Sequence, residues 1–111
     1  MKKDQTQNYH KFLMKELKSR KLAAEYITAT IAENNGQAFV VALKNILEAK
    51  GICQASALTQ AGLAEKMGIS AAVLSKLSKK GVRQITIGTL EKIADALDMR
   101  LEIELKSRKA T

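Results

Sequence analysis

The chain has 111 residues, a formal net charge of +8, one cysteine and few aromatic residues. That length is enough for one buried core, the scarcity of aromatics argues against an aromatic-rich β-sandwich, and the lone Cys53 excludes both an internal disulfide framework and a multi-cysteine zinc site. The basic balance favours an acidic partner such as nucleic acid without identifying one.

Residues 1–9 (MKKDQTQNY) are polar and without periodicity, and are expected to form a flexible tail. No secretory h-region opens the chain, and no apolar run approaches the roughly 20 residues that span a bilayer, so a cytoplasmic protein is expected. An N-terminal helical segment is predicted over 10–35. Phe12, Leu13 and Leu17 recur at helical spacing, and after the polar Ser19-Arg20-Lys21 break Leu22, Ala23, Tyr26, Ile27 and Ile31 repeat the pattern. The stripe of Phe12, Leu17, Tyr26 and Ile31 reads as core, with a partner groove as the alternative. Asn34-Asn35-Gly36 closes the pair, because Asn and Gly tolerate the positive φ that ends a helix.

A larger unit is predicted over 36–99. Phe39, Ala42, Leu43, Ile46 and Leu47 mark a third helix that stops at Lys50-Gly51. Residues 52–58 (ICQASAL) fit either a helical extension or a loop. Three further short helices follow from Leu63, Ala64 and Met67, from Val73, Leu74 and Leu77, and from Leu90, Ile93, Ala94 and Leu97, the last with Thr86 as N-cap. Leu101, Ile103 and Leu105 alternate with Arg100, Glu102, Glu104 and Lys106, a period of two that predicts a strand over 100–106. With no second strand in the chain, that segment either pairs with another subunit, making a dimer, or lies as an edge on its own helices. Residues 107–111 form a tail. The expected class is all-α, with one short C-terminal β-strand.

The most informative stretch is Thr59 to Leu77, TQAGLAEKMGISAAVLSKL. Two helices crossing at roughly 90 to 120° through a tight turn make demands at fixed positions. Leu63, Met67, Ile69, Leu74 and Leu77 supply apolar contacts, Ala64 permits close crossing, and Gly68 suits a left-handed turn residue. Ser70 is placed to cap the second helix, whose outer face then presents Ala71, Ala72, Ser75 and Lys76 to a major groove. Between residues 59 and 83, Lys66, Lys76, Lys79, Lys80 and Arg83 face one acid, Glu65. Lys79, Lys80 and Arg83 are candidates for phosphate contacts, although Lys79-Lys80 also fits a solvated turn.

Other residues offer no reaction chemistry. His10 is the only histidine and has no companions for metal binding or a triad, Cys53 reads as a small apolar filler, and the six glycines form no phosphate-cradling motif. No enzyme, metal or cofactor is expected.

Thr59 to Leu97 resembles the Xre or lambda-repressor-like helix-turn-helix family. In that family a glutamine at the start of the first motif helix commonly contacts phosphate, and Gln60 matches that position. The same resemblance implies base reading by Ser70, Ala71, Ala72, Ser75 and Lys76. The two alanines depart from the glutamine-rich pattern of some phage repressors: they can touch thymine methyls but donate no hydrogen bonds. Over nearly the whole chain, FLMKELKSRKLAAEYITATIAENNGQAFVVALKNILEAKG followed by the motif and LEKIADALDMRLEIEL resembles the HigA-type antidote proteins of bacterial addiction modules. That likeness implies a homodimeric antitoxin that binds operator DNA, represses its own operon and neutralises a RelE/ParE-like toxin. The connection at 52–60 is several residues longer here than in that family. A stand-alone Xre-type repressor and a helical protein-interaction module are the competing expectations.

Overall fold

The computed structural model describes residues 2–54 and 57–108, with side chains from Asn8 onward. Its described residues form six α-helices: α1 (Lys2–Leu17), α2 (Arg20–Ala32), α3 (Gly36–Ala49), α4 (Gln60–Met67), α5 (Ala71–Lys80) and α6 (Ile87–Ala96), with a 3-10 turn at Val82–Gln84 before α6. Part of the connector, 55–56, and the end of the tail, 109–111, lie outside the described residues.

Side-chain caps fix five of the six helix starts. Ser19, Asn35, Thr59, Ser70 and Thr86 each accept a hydrogen bond from a backbone N–H in the first turn of the helix that follows. The helix ends are equally local. Asn34 takes φ 53° after α2 and Asp98 takes φ 60° after α6, and the N–H groups of Asn35 and Met99 reach back to Thr30 and Ala94 at 3.1 and 2.8 Å.

One apolar cluster runs through the molecule. Leu17, Ala23 and Ile27 join Phe39, Leu43, Ile46 and Leu47 of α3, and these continue into Leu63, Met67, Leu74, Leu77, Val82, Ile93 and Leu97. Helix α3 is its centre, packing against α1, α2 and α5, while α4 packs against α5 and α6. Gly36 shows how close the approach is: a Cβ there would fall onto the Leu77 carbonyl of α5. Two polar bonds tie distant elements together. Lys50 donates to the Leu97 carbonyl at 2.7 Å, which closes α3 against the end of α6, and Asn45 donates to the Tyr26 hydroxyl at 3.1 Å.

Three expectations are corrected. Helix α1 starts at Lys2, so residues 2–9 are helical rather than a flexible tail; Lys and Gln form helix readily without an apolar stripe. Phe12 is 60% exposed and outside the core, whereas Leu17 is buried and Tyr26 and Ile31 are half-buried. His10 is exposed, and its Nε2 lies 2.6 Å from the Glu48 carboxylate of α3. Finally, no strand occurs among the described residues: Leu101, Ile103 and Leu105 lie in an irregular segment because a strand needs a ladder and this chain offers no second edge.

Candidate nucleic-acid interface

The geometry of α4 and α5 depends on Gly68. It takes φ 71° and ψ 27°, a left-handed conformation that L side chains rarely adopt, and the Ile69 N–H returns to the Ala64 carbonyl at 3.0 Å. The chain then extends through Ser70, whose Oγ accepts from the Val73 N–H at 3.1 Å and starts α5. Leu63, Ala64 and Met67 of α4 and Leu74 and Leu77 of α5 are buried, with Ile69 and Val73 half-buried at their margin.

This inward set fixes what points outward. At about 100° per residue, Ala71, Ser75, Lys79, Ala72 and Lys76 fall within an arc of about 140°, opposite Leu74 and Leu77. Ala71, Ala72, Lys76 and Lys79 are exposed and Ser75 is half-buried. Exposed Ser70 opens this face and Lys80 borders it, so α5 presents a surface of small side chains ending in two cations. Such a helix approaches a groove closely, and its C-terminal lysines also oppose the negative end of the helix dipole. Gln60 is exposed at the first position of α4, directly after the Thr59 cap.

Arg83 is placed differently from the lysines. Its guanidinium donates to the Ala32 carbonyl at 3.4 Å and its backbone N–H to Asn34 Oδ1 at 2.9 Å, so it braces the turn after α5 against the end of α2 while remaining exposed. Asn34 is the residue that motif reasoning missed. Its only sequence signal was a tolerance for positive φ, and its reach to Arg83 depends on tertiary packing. Among the described residues no group of three or more His, Cys, Asp or Glu could hold a metal ion, and no helix is long and apolar enough to cross a membrane.

A capped, outward-facing helix held across a glycine turn by the buried inner face of a partner helix defines a helix-turn-helix DNA-binding module. The chain belongs to the family described as the Cro/C1-type HTH DNA-binding domain, whose model matches residues 42–102, more than half its length. That span takes in most of α3, all of α4 to α6 and the first residues beyond Asp98. No curated protein and no solved structure matches the chain.

Proposed function

We propose that this member of the Cro/C1-type family is a cytoplasmic antitoxin and autorepressor. Two copies place their α5 helices in successive major grooves of an inverted-repeat operator, about 34 Å apart. Ser70, Ala71, Ala72, Ser75 and Lys76 meet base edges, and Gln60, Lys79, Lys80 and Arg83 meet phosphates. The observation that supports this reading is the outward arc of α5, small at its start and cationic at its end.

The antitoxin half rests on the likeness to HigA-type antidote proteins. It is supported by a helical hairpin, α1 and α2, that lies outside the matched 42–102 and exposes Tyr9 and Phe12 on α1. The partner is a RelE/ParE-like toxin.

A gel-shift assay with the DNA upstream of the chain's own gene, with and without the neighbouring gene product, tests both halves. Salt-sensitive retardation that the neighbour modifies is the expected result. Retardation indifferent to any neighbour makes the chain a stand-alone repressor, and no retardation of any duplex removes the DNA-binding reading.

A further inference from the structure

A polar cleft lies between the end of α5 and the start of α3. Its volume is about 400 Å³, it opens to solvent, and it is lined by Glu33, Asn35 and Gln37 on one wall and by Ser78, Lys79 and Lys80 on the other. Its floor is tied from both sides. A Cβ on Gly36 would fall onto the Leu77 and Ser78 carbonyls, one on Gly81 would meet the Asn34 side chain, and Asn34 Oδ1 accepts from the Arg83 N–H. The two walls are therefore held at one spacing.

Lys79 belongs to two surfaces at once. It lies on the outward arc of α5 with Ala71, Ala72, Ser75 and Lys76, and it also lines this cleft. A duplex seated on that arc has the cleft beside it, at the C-terminal end of α5. The residue types there suit DNA backbone: lysines for charge, and Ser, Asn and Gln for neutral hydrogen bonds to phosphate oxygens. Gln37 is exposed in the first turn of α3, and its side-chain amide carries two N–H donors. Asn35 spends its side-chain oxygen on the cap of α3, accepting from the Ala38 N–H at 3.0 Å, which leaves its NH2 group as a donor. Among the described residues Glu33 is the one acid that lines the cleft, and it is exposed.

We infer that the DNA backbone continues from α5 into this cleft, where Gln37, with Lys79 and Lys80 opposite, holds a phosphate flanking the bases that α5 reads. The inference rests on the DNA-binding reading of α5 and extends its footprint onto the turn between α2 and α3. Residues 33–37 precede the matched 42–102, so the family likeness assigns them no contact. Two observations favour DNA as the occupant. The cleft is continuous with the proposed interface through Lys79, and its cations supply the charge that a polyanion needs. Contacts of this kind fix register and orientation on the duplex and carry no sequence information. Glu33 opposes them, because its carboxylate repels the same phosphate.

Full-length Gln37→Glu and Glu33→Gln proteins are titrated with the DNA upstream of the chain's own gene and with base-substituted versions of it. Gln37→Glu weakens binding to every duplex about tenfold and Glu33→Gln tightens it about threefold, with the ranking of duplexes unchanged. Stability separates this effect from damage to the fold. An acid in the first turn of α3 faces the positive end of that helix, so the unfolding midpoint of Gln37→Glu holds or rises while its affinity falls. Gln37→Lys adds one cation per subunit, and in a dimer the slope of log affinity against log salt goes from about −5 to about −7. Parent-like affinity in the first two variants with a parent-like slope in the third overturns the inference and leaves the α5 reading intact. A changed ranking of duplexes in Gln37→Glu makes Gln37 a base reader and overturns the phosphate assignment. A parent chain that retards no duplex overturns both readings.

Discussion

The side-chain oxygen of Asn34 accepts a hydrogen bond from the backbone N–H of Arg83 at 2.9 Å, joining residues 49 positions apart. Asn34 is itself left-handed at φ 53°, and its side chain packs against Gly81, where any Cβ would collide with it. The turn that ends α2 therefore shapes the chain immediately after α5. Replacing Asn34 with Ala removes the acceptor and puts a less tolerant residue in the left-handed region, for an expected loss of about 2 kcal/mol. Denaturant midpoints at constant m-value measure it, and a change below about 0.5 kcal/mol contradicts the brace.

Two glycines separate crowding from conformation. Gly68→Ala has open space around its Cβ but must adopt φ 71°, so a loss of about 1 kcal/mol is expected. Gly36→Ala drives a methyl into the Leu77 backbone, and a loss of about 3 kcal/mol is expected because both groups sit on packed helices. Equal losses in thermal or chemical unfolding contradict this ordering.

Lys79→Ala and Lys80→Ala remove exposed cations, so stability is expected to change by less than about 0.5 kcal/mol. Binding tells more. If a dimer neutralises about six phosphates, log affinity falls against log salt with a slope of about −5, and losing one contact per subunit brings the slope to about −3.5. An unchanged slope makes these lysines a solvated turn and nothing more.

Lys76→Ala and Ser75→Ala act on the outward arc of α5. Each is expected to alter operator preference by about 1–3 kcal/mol at one base position without changing thermal stability. Binding to a panel of operator variants supplies the measurement, and an identical ranking for the parent and both variants removes these residues from base reading.

Helices α2 to α6 were legible because their signals are local: apolar residues at helical spacing, an oxygen-bearing cap and a tolerant residue at the end. Ser70, Thr86 and Gly68 all act where their chemistry placed them. What escaped depends on distance. Nothing near His10 in sequence announces Glu48, nothing near Asn34 announces Arg83, and the Lys50 bond to Leu97 spans 47 positions. Helix α1 was read too short because residues 2–9 have no apolar stripe, and periodicity detects only helices that bury a face. The strand at 100–106 was expected from alternation, but alternation reports which side chains share a face and says nothing about whether a ladder partner exists in the same chain.

Helix α3 belongs both to the hairpin before it and to the DNA-binding unit after it, since its residues lie in the one apolar cluster that runs from Leu17 to Leu97. The first two helices are therefore not a detachable cassette. Grafting them onto another helix-turn-helix protein requires transplanting the whole of α3 as well. Any drift in Phe39, Leu43 or Leu47 must satisfy two sets of neighbours at once, which ties the divergence of the α1–α2 hairpin to the helix that props up the helix-turn-helix.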